Sequence, residues 1–352
     1  MYYLDNNLVG LKRIFDQNGR SGSLRLDLNE NPGGLDEGFV KKTLSKVTPE
    51  LIAQYPEDAE LYDVLADHLS VSRENLVLTN GSAEAIRYVI QAFTSPRGRI
   101  VGVVPSYFMF QVYSQMYGRD FIPVSYTEDL EMPVERILRE VTPETQLLIL
   151  LNPNNPMGNV YSEDDMERLI AACNENEVTV LIDEAYHYFW PKTFLEYALS
   201  NHRVFITRTF SKLFSMAGLR LGYIVGSADN IEYVRRLTTP HNTNAVAMLF
   251  AKEILTTEGM LENLEARFNE GRSWLVTKLD ELGYRHKGEA GNFIFIEPKS
   301  NADRVVELME EKARIRIKSY KGVGDLGDCL RVSIGEKKYM QRFIEALQQF
   351  DR

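Results

Sequence analysis

The sequence predicts an α/β fold, a mostly parallel central sheet sandwiched by helices with a smaller α+β domain attached. Between Asn75 and Thr207, short continuous apolar strands recur, each followed by a polar turn and an amphipathic helix. That alternation belongs to parallel sheets covered on both faces. From about Ala245 the rhythm changes to long helical segments with short strand-like pieces among them, as expected of a separate α+β unit.

Taken in order, Asn75 to Thr79 (NLVLT) leads through NGSAE into the helical EAIRYVIQAF, and Arg99 to Val104 (RIVGVV) leads into PSYFMFQVYSQM. Gln146 to Leu151 (QLLILL) runs through NPNNPMGNVY into SEDDMERLIAACNEN, where Ser162 is a candidate N-cap with Asp165 at the third helical position. Glu177 to Ile182 (EVTVLI) ends in DEAYHYFW, and Arg203 to Thr207 (RVFIT) ends in TRTFSKLFSMAGLRLG. Beyond Ala245 come two helical stretches, the strands GNFIFIEP and CLRVSIG with the helix NADRVVELMEEK between them, and a closing helix, KKYMQRFIEALQQF. The expected domains are an N-terminal arm, 1–34, joining the small domain, a large domain, 35–244, and a small C-terminal domain, 245–352.

Composition narrows the function. The net charge is −10 and no block of Lys or Arg interrupts it, so the footprint of a nucleic-acid binder is missing. Cys173 and Cys329 are the only cysteines, too few for a disulfide framework or a cysteine metal cluster. The N-terminal stretch MYYLDNNLVGLKRIFDQ has no long apolar core behind positive residues, and no run of eighteen apolar residues occurs. Neither an export signal nor a membrane span is expected, and a reducing cytoplasm fits best.

The polar residues at the strand ends are where ligands bind in such sheets. They are Asn80, Gly81 and Ser82; Ser106 and Tyr107; Asn154 and Asn155; Asp183, Glu184 and Tyr186; and Thr209, Ser211 and Lys212. Taken singly, each is an ordinary turn residue. Jointly they match the needs of pyridoxal 5'-phosphate (PLP). A lysine must form a Schiff base with the aldehyde and a carboxylate must pair with the ring nitrogen, and Lys212 and Asp183 are of the right types. Asn155 and Tyr186 can donate to the ring oxygen, and Tyr107 can stack on the ring. The phosphate needs amides at a helix start, hydroxyls and a bidentate cation. Ser82 and Ala83 open a helix, and Thr209, Ser211 and Arg220 supply the rest.

LNENPGG (28–34), YPE (55–57), NGSAEAI (80–86), PSYFMF (105–110), NPNNPMG (152–158), DEAY (183–186), TRTFSKLFSMAGLRLGY (207–223) and CLRVSIG (329–335) together resemble the fold-type I PLP-dependent aminotransferases, and within them the histidinol-phosphate aminotransferase subgroup. The resemblance implies that Lys212 also shuttles the proton between the substrate α-carbon and the cofactor, and it repeats the other cofactor roles given above. It implies that Tyr55 reaches the cofactor phosphate of a neighbouring subunit, hence a homodimer with shared active sites. Arg331 would bind the acidic group of an amino donor and of a 2-oxo acid in turn, as a single planar cation can.

Three positions depart from that subgroup's usual pattern. Gly33 stands where ENPYG has an aromatic ring; Lys318, or Arg316 if the register slips by two, stands where a second arginine is usual; and His241 stands where Tyr or Phe is common. Lysine is a point charge and cannot make the bidentate contact of arginine. The leading expectation is an aminotransferase acting on L-histidinol phosphate, or on another small phosphorylated or aromatic amine, with 2-oxoglutarate as acceptor. The alternative is a phosphoamino-acid decarboxylase similar to the threonine-phosphate decarboxylases, using the same site. The two differ in which bond at the α-carbon is held perpendicular to the ring, and so in where Arg331, Lys318 and Asn31 hold the substrate's anions. A ligand-sensing module is disfavoured by the missing basic footprint, and a nucleotide-binding enzyme by the lack of GxxxxGK[ST] after any strand.

Overall fold

The computed structural model describes residues 4–11, 19–127 and 129–352. Strand β1 (Leu24–Arg25) precedes a central group of β2 (Leu76–Thr79), β3 (Arg99–Val104), β4 (Asp120–Ser125), β5 (Thr145–Leu151), β6 (Thr179–Asp183), β7 (Val204–Thr209) and β8 (Gly222–Val225). Then come β9 (His286–Lys287), β10 (Phe293–Ile296), β11 (Ile315–Arg316), β12 (Lys318–Tyr320) and β13 (Cys329–Ser333). Of the expected N-terminal arm, residues 1–3 and 12–18 lie outside the described residues, as does most of the stretch read for an export signal.

The central seven-stranded sheet has the order β2-β8-β7-β6-β5-β3-β4. The pairs β3–β4, β3–β5, β5–β6 and β6–β7 are parallel, while β8 runs antiparallel to both β7 and β2. The sheet is thus mostly parallel, as the apolar strands predict. Two of its strands do not stand out in the sequence. β4 reads DFIPVS, a half-exposed strand with Pro123 inside it, tolerated because β4 is an edge. β8 has only four residues, beginning directly after the turn at Arg220.

Alternation along the strands builds two cores. Leu147, Ile149, Leu181 and Phe205 face helices Ser82–Phe93 and Met109–Met116 through Ile86, Val89, Ile90 and Phe110. Leu148, Leu150, Val180, Ile182, Val204 and Ile206 face the other side, where helix Glu163–Glu175 contributes Met166, Leu169 and Cys173. Ser162 caps that helix, its hydroxyl accepting from the Asp165 amide at 3.1 Å. Cys173 and Cys329 are both buried and unpaired.

The C-terminal part carries a four-stranded antiparallel sheet of order β12-β13-β10-β9, with helices Met260–Glu281 and Lys337–Phe350 packed together beside it. β1 pairs in parallel with β11, so the stretch before residue 34 is tied to this part. No helix among the described residues is long and apolar enough to cross a membrane.

The same alternation sends consecutive side chains at the strand ends to opposite faces. Asp183 follows the face of Leu181, and Glu184 that of Ile182. Glu184 meets Arg208 in an ion pair of 2.8 Å with both side chains almost fully buried, at 1% and 4% exposure. It also accepts from the Phe194 amide at 2.7 Å and from the Thr193 hydroxyl. Removing one partner strands the other charge in the core, so Arg208→Met is expected to destabilise the protein by about 3–5 kcal/mol. Denaturant unfolding of the variant checks this, and a loss below about 1 kcal/mol would mean that the pair behaves as a surface one.

Candidate active site

A cavity of about 510 Å³ opens at the carboxyl edge of the central sheet. It gathers every residue assigned to the cofactor from the sequence except Tyr55: Ser82 and Ala83 from the start of one helix, Tyr107 after β3, Asn155 after β5, Asp183 and Tyr186 at the end of β6, and Thr209, Ser211, Lys212 and Arg220 from β7 and the turn that follows. Chain segments far apart in sequence meet here because neighbouring parallel strands all end on one edge.

Asp183 lies at the floor of the cavity. Its Oδ1 accepts from the Thr207 hydroxyl at 3.0 Å and from the Ala185 amide at 3.1 Å. Burial pushes its carboxyl up to about 7, against the pull of those two bonds and of Lys212. Lys212 points across the cavity, with Nζ 3.3 Å from the Leu28 carbonyl and 5.4 Å from the centre of the Tyr186 ring. Burial, reinforced by the charge of Arg331, lowers its ammonium to about 8. Tyr186 is buried, which pushes its phenol up to about 12, and its ring packs edge-on against Phe293. Tyr107 stands edge-on to Phe110, which fixes the plane of its ring.

The other end of the cavity is a ring of donors. Helix Ser82–Phe93 begins here, and the first amides of a helix have no partners within it. The Thr209 hydroxyl is 2.9 Å from that of Ser211, and Arg220 Nη1 is 3.3 Å from the Ser211 hydroxyl. Two glycines allow the close approach. A Cβ on Gly81, at φ 76°, would meet Arg220 Nη2 at 2.9 Å, and one on Gly222 would meet the backbone of Gly81 and Ser82 at 2.7 Å. Arg220 itself takes the left-handed conformation, φ 57°, and so turns its guanidinium back toward the helix start.

Arg331 is buried beside the cavity. Its Nη1 donates to Asn155 Oδ1 at 2.9 Å, and its Nη2 to the Asp27 carbonyl at 2.6 Å. In the register of β12 and β13, Lys318 sits opposite Arg331, and burial, then the Arg331 charge, lowers its pKa. Arg316 instead pairs with Glu310 at 2.5 Å, so of the two candidates Lys318 is the one beside Arg331. Asn31 lies outside the cofactor cavity. Its amide donates to the Ser215 hydroxyl at 2.7 Å, and it lines a neighbouring cavity of about 460 Å³. Tyr55 is 80% exposed and stacks on His241 with ring centres 4.6 Å apart, away from the cavity of its own chain.

Several polar residues at this site were quoted in the sequence motifs but given no task, or lie just outside them. Asn29 donates to the Tyr186 hydroxyl at 3.0 Å, and Asn292 in turn holds the Asn29 carbonyl at 2.9 Å. Arg20 ties Asp27 and Glu30 together, and Glu30 lines the cavity. Their only sequence signal is the clustering of LDLNEN beside Arg331's eventual neighbours, a pairing 304 residues apart.

Residues 23–347 match the family model for aminotransferase class I and II. The chain belongs to this aminotransferase family. It is 30% identical over 329 residues to the histidinol-phosphate aminotransferase of Caldanaerobacter subterraneus subsp. tengcongensis, covering 92% of each chain. It is also 30% identical to that of Aquifex aeolicus, covering 93% of this chain and 92% of the relative. Among solved structures, the histidinol-phosphate aminotransferase of Sinorhizobium meliloti in complex with pyridoxal-5'-phosphate aligns at a TM-score of 0.84 and 21% identity, covering 93% of this chain and 90% of that one. An aspartate aminotransferase mutant from Thermus thermophilus aligns over the whole of both chains at a TM-score of 0.80 and 20% identity. At such identities these two likenesses speak for the fold.

The buried carboxylate of this aminotransferase makes the ligand-free protein pH-sensitive. The folded-state pKa of Asp183, about 7, lies above the ordinary aspartate value. The folded protein therefore holds this proton more tightly than the unfolded chain does, and stability falls as pH rises between those two values. Asp183→Asn removes that loss. In ligand-free protein, the melting temperature of the variant relative to wild type should be higher at pH 8 than at pH 5, by more than about 2 °C. A difference that does not change with pH would contradict a charged Asp183 in the floor.

Proposed function

We propose that this aminotransferase transfers the amino group of L-histidinol phosphate to 2-oxoglutarate with PLP as cofactor. The observation that carries the proposal is the convergence on one cavity of a pKa-lowered lysine, a buried carboxylate and a ring of anion donors. The names of the relatives supply the substrate. The donor set fits PLP: among the described residues Asp183 has no ion-pair partner, so a protonated ring nitrogen would relieve a buried charge otherwise poorly compensated.

Bound there, the cofactor's ring would act as the electron sink for the substrate's α-carbon. Asp183 would pair with the ring nitrogen, Asn155 and Tyr186 would hold the ring oxygen, and Tyr107 would stack on the ring. Ser82, Ala83, Thr209, Ser211 and Arg220 would grip the phosphate. Lys212 Nζ would hold the aldehyde, then take up and return the α-carbon proton, work suited to a group lowered to about 8. Arg331, with Lys318 beside it, would hold the acidic group of each substrate in turn, and Asn31 would act from the adjoining cavity. The division into an arm, 1–34, a large domain, 35–244, and a small domain, 245–352, would let the Arg331 side of the site sit on a different unit from Lys212.

The functional unit we propose is a cytoplasmic homodimer. Two buried, unpaired cysteines suit a reducing compartment. The exposure of Tyr55 away from its own cavity supports its service to a partner's phosphate.

The deciding experiment is a half-reaction without keto acid. PLP-loaded enzyme mixed with L-histidinol phosphate is expected to convert to the pyridoxamine form and release imidazole-acetol phosphate, identified by mass. Lys212→Ala should fail to retain the cofactor covalently and should not turn over. Conversion with L-glutamate but not with L-histidinol phosphate would remove the proposed donor and leave the family chemistry in place; release of carbon dioxide from a phosphoamino acid would replace transamination by decarboxylation.

Sharing of sites is tested by mixing. Lys212→Ala is expected to be inactive and Tyr55→Ala to be impaired by about tenfold or more. Heterodimers formed on mixing contain one site with Lys212 and a partner's Tyr55 both intact, so activity should recover well above the sum of the parts. No recovery after verified subunit exchange would rule out a shared site.

A further inference from the structure

The cofactor roles proposed above use nearly every polar side chain facing the main cavity. Glu30 is the exception. It lines the cofactor cavity together with Lys212 and Asp183, and it also lines the neighbouring cavity, so the residue forms part of the boundary between the two, with its carboxylate near enough to act on the Lys212 amine. Its side chain is 26% exposed, whereas its partner Arg20 is at 9%. A carboxylate held in such a wall presents acceptors to whatever fills the space beyond the cofactor.

We propose that Glu30 selects the amino donor: its cavity-facing oxygen accepts a hydrogen bond from an N–H group on the donor's ring, and Arg20 holds the carboxylate in place. The inference rests on the proposed function and adds the residue that discriminates between donors.

The geometry leaves Glu30 the capacity to do this. Arg20 Nη2 donates to Glu30 Oε2 at 2.6 Å and to Asp27 Oδ1 at 2.7 Å, while Nη1 reaches Glu30 Oε1 only at 3.4 Å. The next cation, Arg25, stands 4.0 Å from Oε1. An ionised carboxylate has about four acceptor sites, so Oε1 keeps room for a further donor. The clamp is anchored from behind, because Asp27, the other acceptor for Arg20, offers its own carbonyl to Arg331 at 2.6 Å. One guanidinium thus serves two carboxylates.

A ring supplied by the protein is not available to sort donors at position 33. A Cβ on Gly33 would collide with the Glu336 carboxylate and lie 3.3 Å from the Tyr339 ring, and Glu336 is itself fixed by Arg267. Discrimination at Glu30 itself rests on a polar contact. A ring with an N–H, such as imidazole, satisfies Glu30; a phenyl ring of similar size covers it and leaves its oxygen without a donor. Sites built to hydrogen-bond a substrate group reject analogues lacking it far more strongly than apolar pockets reject a size change.

The test compares L-histidinol phosphate with L-phenylalaninol phosphate, which shares the amine and phosphate and lacks the ring N–H. Half-reaction rates give the ratio of kcat/KM for the two donors, and within one preparation any loss of folded enzyme cancels from that ratio. The wild type is expected to favour histidinol phosphate by about tenfold or more. Glu30→Met should bring the ratio close to one. Glu30→Gln should lower the ratio less than Glu30→Met does, since its amide oxygen goes to Arg20 and its NH₂ can still donate to the unprotonated ring nitrogen of imidazole. A ratio unchanged from wild type in both variants, with histidinol phosphate still turned over, would overturn the role of Glu30 alone. Turnover of glutamate with neither phosphate accepted by the wild type would overturn the proposed donor, and the Glu30 assignment with it.

Discussion

Alternation at the carboxyl ends of β6 and β7 is the constraint on which the site depends. Each strand delivers one side chain to the cavity and the next to the opposite face. Asp183 reaches the cavity floor, held there by a hydrogen bond from its cross-strand neighbour Thr207. Glu184 and Arg208, one residue on, form the buried ion pair on the other side. A slip of one residue in β7 would exchange its two sets, placing Arg208 in the floor and leaving Glu184 as a free carboxylate in the core. The ion pair thus acts as a register pin, and the chemistry of the floor is a consequence of where the sheet closes.

Within the cavity, burial is the largest influence on the two central charges. Lys212 and Asp183 are pulled toward neutrality by desolvation, Lys212 lowered to about 8 and Asp183 raised to about 7. Both therefore titrate within reach of physiological pH, the range in which a proton carrier and a switchable partner for a ring nitrogen are useful. Arg331 lowers Lys212 while Glu30 raises it. Arg331, proposed to hold a substrate's acidic group, and Glu30, proposed to face its ring, thus act on the same amine with opposite sign.

Much of the site could be read from residue types at strand ends, because the carboxyl-edge rule converts a one-dimensional list into a spatial cluster. The gathering of Lys212, Asp183, Asn155, Tyr186 and the donors proposed for the phosphate was legible in that way. The strands β4 and β8 were not: one is a half-exposed edge with a proline, and the other is too short to show a pattern. Asn29 and Glu30 lay in a quoted motif, yet nothing in a turn-like LNEN says which of its side chains faces inward. Arg20, next to a glycine and among serines, carries no periodicity at all.

The sequence by itself determined the alternation of strand and helix, the chemical types gathered at the strand ends, and the membership of the chain in a PLP-dependent family, since each follows from local pattern and ordered motifs. Tertiary structure alone decided that Lys318 rather than Arg316 stands opposite Arg331, that Asn31 turns to Ser215, and that Arg20 clamps Glu30 into the cavity wall. These outcomes depend on the pairing of β12 with β13 and on the path of an irregular segment. Register and loop path are fixed by contacts between residues far apart in the chain, and no local propensity encodes them.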